Sequence, residues 1–285
     1  MPLDTSIIGQ SIPAIEHSID ERWLMAYAAS LSDLNPLYMD TQEHTVIGHP
    51  VFSVCVEWPV ILNMRALAGT ESLTQEEAAR GVHAAHDLHL HAPIRAGDTL
   101  TTEATMIGAQ AIKPGAAYTM KLSTHNQDGT LVAETYQLGI YRGVEVQGES
   151  GFAETPPALP ELSDPTAGTK QEIYVPAGAA HTYTECARIW NPIHTDRAVA
   201  LSAGLPDIIL HGTATLALAV TEIVNKYAGG DPNRVARLGG RFAAMVLMPS
   251  TISLISNEVD GVVSYQVLTE DGQTAISNGF VTLSG

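Results

Sequence analysis

Two stretches of this sequence, "YAASLSDLNPLYMD" (27–40) and "YTECARIWNPIHTD" (183–196), are copies of one pattern. They align without a gap when the chain is shifted by 156 residues, and this shift superposes six identical residues within the 24 positions 27–50. The matched pairs are Tyr27 with Tyr183, Asn35 with Asn191, Pro36 with Pro192, Asp40 with Asp196, Gly48 with Gly204, and Pro50 with Pro206. Because matches clustered at one offset indicate an internal repeat, we predict a duplicated unit of roughly 130 residues.

Each copy continues in the same order, with an Asn-Pro pair, a long apolar helix and then several strands. A residue before proline disfavours the helical conformation, so no helix runs through either Asn-Pro pair. The long helices are predicted at "VFSVCVEWPVILNMRAL" (51–67) and "ILHGTATLALAVTEIVNKYA" (209–228). The segments behind them alternate in polarity and contain Asp-Gly pairs, which are typical of strands and turns. We predict an α+β fold in which two antiparallel sheets each wrap a long central helix.

A segment rich in proline, glycine, serine and acidic residues separates the two copies. It covers 144–171 and has neither helical nor strand periodicity, which is typical of a linker. We therefore predict a first domain at 1–143, a linker at 144–171 and a second domain at 172–285.

Composition limits the classes of function that this chain can have. The 14 basic and 31 acidic residues give a formal charge of −17, which argues against a nucleic-acid partner. Cys55 and Cys186 are far apart and have no neighbours at metal-ligand spacing, so we expect no structural zinc site. The chain has no apolar run of membrane-spanning length, and its start does not resemble a signal peptide. We therefore predict a cytoplasmic protein without membrane contact.

Residues 183–219 resemble the signature of MaoC-like dehydratases, a group that includes the (R)-specific enoyl-CoA hydratases. That signature is Gly-Asp-x-Asn-Pro-aliphatic-His, followed further along by Pro, two or three residues, and His-Gly. The matching residues are Asn191, Pro192, Ile193, His194, Pro206, His211 and Gly212. "HAPIRAGDTLTTEA" (91–104) is similar to the Arg-x-Gly-Asp strand entry of the same proteins. The resemblance implies a double hot-dog fold in which one half has a degenerate motif.

The resemblance also implies a reaction, the reversible hydration of a 2-enoyl thioester to a 3-hydroxyacyl thioester of coenzyme A or acyl-carrier protein. In the family, an Asp and a His hold a water between them and act as general base and acid. A backbone N–H at the start of the long helix polarises the thioester carbonyl. Carried over, these roles fall to His194 as acid–base residue, Asn191 as its organiser and Gly212 as donor. No metal or redox cofactor is implied.

The match to the signature breaks once in the second half and twice in the first. In the second half, Arg188 and Ile189 stand where the family has Gly-Asp. In the first half Asp33 keeps the acid position, but Tyr38 replaces the His, and the ungapped alignment puts Cys55 at the position of the later His. Asp33 stays a candidate catalytic acid, although it could simply form a turn or cap a helix. We do not expect it to share one water with His194, because the two lie on equivalent loops.

Four residues are candidates for substrate binding. A guanidinium binds carboxylates and phosphates well, so Arg188 could recognise an acidic acyl chain or a coenzyme phosphate. Arg237 and Arg241 form the densest basic cluster of an acidic chain and are candidates for the phosphates of coenzyme A. His211 either contributes to the substrate site or anchors the start of the long helix.

Two other functions remain open because of Ile189. One is a catalytically silent protein that binds an acyl thioester or serves as a scaffold subunit of a hydratase complex. The other is a thioesterase on the same fold. Exposed sheet edges and the pairing typical of the family predict a homodimer or a larger homo-oligomer.

Overall fold

The computed structural model describes residues 2–71 and 73–285. The first half contains the strands β1 (Leu3–Asp4), β2 (Ser11–Ser18), β3 (Gly81–Leu90), β4 (Thr99–Ile112), β5 (Gly115–His125) and β6 (Leu131–Arg142). Its helices are α1 (Glu21–Ser30), α2 (Pro36–Met39), α3 (Ser53–Leu62) and α4 (Gln75–Ala79). Two short strands follow, β7 (Val146–Gln147) and β8 (Gly151–Phe152).

The second half repeats this plan. Its helices are α5 (Ala179–Ala187), α6 (Arg197–Ser202) and α7 (Gly212–Tyr227), and its strands are β9 (Thr169–Val175), β10 (Val235–Phe242), β11 (Ser250–Val259), β12 (Val262–Leu268) and β13 (Thr274–Leu283). Short 3-10 helices lie at Thr5–Ile7, Asn63–Ala66, Pro165–Ala167, Pro192–His194 and Pro232–Arg234.

The sheets of the two halves join into one. The antiparallel order is β2-β4-β5-β6-β3-β10-β13-β12-β11-β9, and β3 pairs with β10 where the halves meet. The predicted α+β class is therefore confirmed, but the two sheets that we expected form one continuous sheet. Pairing β3 with β10 removes two edges from the described sheet, whose remaining edge strands are β9 at one end and β2 with the short β8 at the other, so fewer backbone groups remain unpaired.

The internal repeat is visible in the backbone and at the contact between the halves. Ser32 and Arg188 are related by the repeat, and both have a φ of 58°. The hydroxyl groups of Tyr27 and Tyr183, also related by the repeat, lie 3.3 Å apart in the buried core. The two copies therefore face each other, as the two protomers of a symmetric dimer would.

The long helices lie against the sheet, as predicted, but they differ in length. The second-half helix α7 has 16 residues, nine of them buried, and its many alanines allow close packing on all sides. The first-half helix α3 has 10 residues and contains Pro59, which removes one backbone donor, and it continues as a 3-10 turn. One apolar core spans both halves and includes Phe52, Leu88 and Leu216.

The boundary between the halves differs slightly from the prediction. Strand β9 begins at Thr169, inside the predicted linker 144–171, and the linker also contains β7, which pairs with β1, and β8, which pairs with β4. None of the helices within the described ranges has the length and apolar character of a membrane span.

Candidate active site

The loop that carries the second copy of the motif is fixed by its own backbone. Arg188 ends α5 in the left-handed conformation, at φ 58°, which glycine adopts at least cost. The Asn191 side chain then accepts a hydrogen bond from the Ile193 N–H at 3.4 Å and caps the 3-10 helix that contains His194. This geometry explains why the family has Gly at the Arg188 position, and it supports the organising role of Asn191.

His194 is oriented by one hydrogen bond. Its Nδ1 lies 2.8 Å from the carbonyl oxygen of Ile209, and since a carbonyl only accepts, Nδ1 carries the proton. Nε2 therefore has a free lone pair, and no hydrogen bond to it occurs within residues 2–71 and 73–285. Burial lowers the pKa of His194 to about 4, so the ring is neutral at pH 7. A neutral imidazole with an available nitrogen is what a general base requires.

His211 stacks on His194 and holds the loop. The ring centroids are 3.6 Å apart. The Nε2 atom of His211 lies 3.2 Å from the Thr184 hydroxyl and 3.4 Å from the carbonyl oxygen of Ile189. Burial, followed by the proximity of the His194 ring, lowers the pKa of His211 well below its usual range. His211 thus links α5 to the start of α7 and supports His194 from one side, which favours the anchoring role over direct binding.

Gly212 is the first residue of α7 and is exposed. Its N–H makes no hydrogen bond to any residue that the structure describes. A Cβ atom at this position would lie 3.2 Å from the Phe242 ring, which is closer than most such contacts. An unpaired N–H at a helix start can stabilise the negative oxygen of an enolate, so the predicted donor role of Gly212 fits its position.

The position of the missing acid is filled by a buried apolar side chain. Ile189 is only 5% exposed and belongs to the apolar core. Glu185 is exposed on α5, so it does not take the place of the acid in the buried loop. In the second half, His194 and the Gly212 N–H are therefore present without a neighbouring carboxyl group at the Ile189 position.

Asp33 lies in a different network in the first half. Its carboxylate accepts hydrogen bonds from the Asn35 N–H at 3.2 Å and from the Thr221 hydroxyl at 3.0 Å. Burial raises the pKa of Asp33, although both hydrogen bonds oppose the increase. A series of contacts connects Asp33 with the His194 region. It passes in order through Thr221, His49, Tyr27, Tyr183 and His211. Five residues thus stand between Asp33 and His194 in this series of contacts.

The ungapped alignment misassigned one residue of the first half. The structural counterpart of His211 is His49, which contacts the Tyr27 and Tyr38 rings as His211 contacts those of Tyr183 and His194. Cys55 lies further along, inside α3. The sequence missed His49 because the loop between the Asn-Pro pair and the long helix is shorter in the first half than in the second.

The first half lacks the backbone donor that Gly212 provides in the second half. His49 Nδ1 accepts a hydrogen bond from the Val51 N–H at 3.1 Å, so Nε2 carries the proton and donates it to the Thr221 hydroxyl, also at 3.1 Å. Pro50 takes the place of Gly212 and has no N–H. Because the next N–H, that of Val51, is already bonded to His49, the position equivalent to Gly212 has no donor for a thioester carbonyl.

A cavity of about 660 Å³ opens beside Asp33, between the halves. Its wall includes Asp33, Thr221, Leu218, Ala179 and Tyr183. The repeat places Trp23 where the second half has Ala179, and the guanidinium of Arg188 stacks on the Trp23 ring at 3.7 Å. The space beside Asp33 is therefore open, whereas an indole and a guanidinium occupy the matching position beside Ile189.

The basic candidates have structural contacts of their own. Arg237 binds Asp87 across the β3–β10 pair with two hydrogen bonds of 2.8 and 2.7 Å, and it also donates to the Ala158 carbonyl. Burial of Asp87 opposes ionisation, but the hydrogen bonds from Arg237 keep its pKa below the usual value. The Arg237 side chain is thus bound at the β3–β10 contact between the halves, and the Arg188 side chain is stacked on Trp23. Arg241 is exposed on β10 and stays available for a phosphate.

The fold and this loop define a double hot-dog protein with a MaoC-type motif. A MaoC-like dehydratase from Phytophthora capsici superposes with a TM-score of 0.82 at 19% identity, covering 97% of this chain and 95% of that one. A Mycobacterium tuberculosis protein described as having a double hotdog fold superposes with a TM-score of 0.63 at 14% identity, covering 97% and 96%. At these identities the likeness concerns the fold alone.

Family models assign both halves. Residues 164–280 match the family described as MaoC like domain, and residues 6–135 match FAS1-like, dehydratase domain region. The resemblance drawn from the motif is therefore confirmed for the second half.

Curated relatives agree with this assignment. Peroxisomal multifunctional enzyme type 2 of Mus musculus is 23% identical over 97% of this chain, which spans only 38% of that protein. Enoyl-CoA hydratase 2, peroxisomal, of Arabidopsis thaliana is 22% identical over 98% of this chain and 94% of that protein. A 3-hydroxyacyl-thioester dehydratase of Mycobacterium tuberculosis is 29% identical over 61% of this chain and 60% of that protein. The relatives support the predicted class of reaction, a hydro-lyase acting on an acyl thioester.

Proposed function

We propose that the second half catalyses the reversible hydration of a 2-enoyl thioester, with His194 as the acid–base residue and the Gly212 N–H as the carbonyl donor. The observation that carries this proposal is the bond from His194 Nδ1 to the Ile209 carbonyl. It fixes the tautomer and leaves Nε2 as a base beside the free start of α7. Asn191 positions the loop, and His211 supports the His194 ring.

The reaction can proceed with a single acid–base residue. His194 Nε2 takes a proton from water while the water oxygen forms a bond to Cβ, and the electron pair of the double bond moves onto the thioester carbonyl. The Gly212 N–H stabilises the resulting enolate oxygen. His194 then returns the proton to Cα, which completes the addition and restores the neutral ring. Because syn addition delivers both fragments to one face, one base can serve both steps.

The low pKa of His194 suits this sequence but limits the rate. A pKa of about 4 keeps the ring neutral at physiological pH and makes its protonated form a strong acid towards Cα. A weak base takes the proton of water slowly, however, and Ile189 supplies no second group to help. We therefore expect slower turnover than a complete Asp–His pair would give.

Several finer features belong to this proposal. The substrate is a thioester of coenzyme A or acyl-carrier protein, with Arg241 as the remaining candidate for a phosphate contact. The chemistry needs no cofactor beyond the substrate itself. Location in the cytoplasm and assembly into a homodimer or larger homo-oligomer also stay predictions.

The test is the loss of absorbance of crotonyl-CoA when purified protein is added. We expect turnover by the wild type, with a kcat/KM that stays flat as the pH falls to about 5 and declines near the His194 pKa of about 4. Equal turnover by the wild type and His194→Ala would remove His194 from the mechanism.

A catalytically silent thioester-binding protein is the second candidate. Two observations favour it, the apolar side chain at Ile189 and the position of the 660 Å³ cavity beside Asp33 rather than beside His194. Tight binding of crotonyl-CoA with no change in absorbance would support it. Release of free thiol would instead indicate a thioesterase, for which we would expect a carboxylate at the position of Ile189 or His194.

A further inference from the structure

Four polar side chains form a row inside the first half, between α3 and the sheet. We call Glu57, Thr135, His86 and His83 the buried polar row. Glu57, Thr135 and His86 are 2% exposed or less. Nothing in the mechanism proposed above uses them.

The row is continuous in space. The Thr135 hydroxyl donates to Glu57 Oε1 at 2.5 Å. Thr135 pairs with Leu88 and Gln137 with His86 across β6 and β3, so Thr135 and His86 lie on the same inner face as diagonal neighbours. The His86 and His83 rings follow with centroids 5.3 Å apart.

Several polar atoms of the row lack a partner. Both ring nitrogens of His86 and the Nε2 of His83 are buried without a hydrogen bond in the described part of the chain, whereas Glu57 has the hydroxyl groups of Thr135 and Ser53 as neighbours. Leaving one such group unpaired is costly, and folded proteins rarely leave several unpaired side by side. The row therefore provides acceptors and donors for something that is not part of this chain.

The row begins next to the proposed carbonyl donor. The Phe242 ring lies against Gly212, where an added Cβ would be 3.2 Å away, and its centroid is 4.8 Å from that of His83. The contacts thus lead from the Gly212 N–H past Phe242 to His83, then to His86 and Glu57. A thioester whose carbonyl is bound at Gly212 would therefore be separated from His83, the first residue of the row, by the Phe242 side chain.

The charge states of the side chains in the row indicate which kind of ligand fits there. Burial lowers the pKa of His86 to about 4 and that of His83 to about 3, so both rings are neutral. Burial raises the pKa of Glu57 to about 7, although the Thr135 hydroxyl opposes this. The row contains no cation to balance an anionic group, so it suits an uncharged group that both donates and accepts hydrogen bonds.

We propose that the buried polar row binds a hydroxyl group on the acyl chain of the thioester substrate. This inference rests on the proposed function, because it takes the Gly212 N–H as the position of the thioester carbonyl. It goes beyond that function by naming the substrate class, an enoyl chain that carries an oxygen substituent rather than a plain fatty acyl chain.

The experiment compares oct-2-enoyl-CoA with analogues that carry one hydroxyl group at successive carbons beyond the double bond. We expect wild-type kcat/KM to be about tenfold or more higher for at least one analogue, since sites built for a hydroxyl group reject chains without it. Glu57→Leu and His86→Leu should abolish this preference, and Glu57→Gln should keep most of it. The acyl chain of crotonyl-CoA carries no hydroxyl group for the row to bind, so its turnover should stay the same in all three variants.

Thr124→Val is the matched control, because Thr124 and Thr102 form a satisfied pair of buried hydroxyl groups 2.9 Å apart in the same sheet. It should leave the preference unchanged. Equal kcat/KM for plain and hydroxylated chains, or a preference that survives in Glu57→Leu, would overturn the proposal and leave only bound water for the row.

A binding experiment tests the row independently of the proposed hydratase function. If crotonyl-CoA is not hydrated at all, the same analogues are compared by calorimetric binding to the wild type and to Glu57→Gln and Glu57→Leu. Tighter binding of a hydroxylated chain that is lost in Glu57→Leu supports the row even in a silent protein. Binding that does not depend on the hydroxyl group overturns it.

Discussion

The two copies of the motif differ in what each has kept. The first-half copy has the acid, Asp33, in an open cavity, but Tyr38 replaces the His and Pro50 removes the carbonyl donor. The second-half copy has His194 and a free Gly212 N–H, but its acid position is the buried Ile189. Each copy thus lost a different part of one site. Since only the second copy can polarise a thioester carbonyl, we place the chemistry there.

The two copies also show that the fold of the loop was kept where its chemistry was not. The left-handed residue, the Asn cap and the buried tyrosine are the same in both copies. These features hold the loop in shape whatever its side chains do. The titratable residues, by contrast, are free to change once one copy suffices. A motif that keeps its Asn-Pro pair therefore indicates the fold more strongly than the activity.

The largest effect should come from His194→Ala. Loss of a general acid–base residue typically lowers rates about 10²–10⁴-fold, and we expect a decrease in that range in kcat/KM for crotonyl-CoA. Tyr38→Phe changes the equivalent position of the first copy and is the matched control, with an expected change within about twofold. A larger loss in Tyr38→Phe than in His194→Ala would move the chemistry to the first copy.

Restoring the acid with Ile189→Asp should have the next largest effect. A carboxylate beside His194 would share the attacking water, and we expect kcat/KM to rise about 10–100-fold. Thermal stability should fall, because a carboxyl group replaces an apolar side chain in the core. Ile189→Asn has the same shape without the acid and should show the lower stability but no gain. A gain of equal size in both variants would mean that packing, not proton transfer, was limiting.

Asp33→Asn should affect stability through pH more than it affects activity. Burial raises the pKa of Asp33 in the folded protein above its unfolded value, so its ionisation opposes folding at pH values above the folded pKa. That cost disappears as the pH falls through the folded pKa. We therefore expect Asp33→Asn to raise the melting temperature near pH 8 and to lose this advantage near about pH 4.

Turnover of crotonyl-CoA by Asp33→Asn tests the same comparison. If the second copy alone is active, kcat/KM should stay within about twofold of the wild type. A loss comparable to that of His194→Ala would show that Asp33 acts on the substrate after all.

The smallest effect should come from Arg188→Gly. Glycine relieves the cost of a left-handed residue, about 1–2 kcal/mol, but it removes the stacking of the guanidinium on Trp23, about 0.5–1 kcal/mol at an exposed site. We expect a net change in unfolding free energy of about 1 kcal/mol or less, measured by denaturant titration. The KM for crotonyl-CoA should not change, and a KM several-fold higher would return Arg188 to substrate binding.

Much of the fold was predictable because the repeat was visible. Residues matched at one offset fixed the duplication, and the apolar run at 209–228 fixed the buried helix α7. The edge strands β2 and β9 were not predicted, because β2 contains Pro13 and neither strand has a strong apolar alternation. His49 was missed for another reason, a difference in loop length that an ungapped comparison cannot detect.

The sequence by itself determined the internal repeat and the α+β class, and its resemblance to the MaoC-like signature implied the double hot-dog architecture and revealed the loss of the acid at Ile189. These depend on local rules, namely apolar periodicity, the restriction imposed by Asn-Pro and residue identity within a short motif. The tertiary structure decided which arginines are available, that Thr221 of the second half holds Asp33 of the first, and that a row of unpaired polar groups extends from the proposed site. Those facts depend on contacts between residues far apart in the chain, and no short stretch of sequence encodes them.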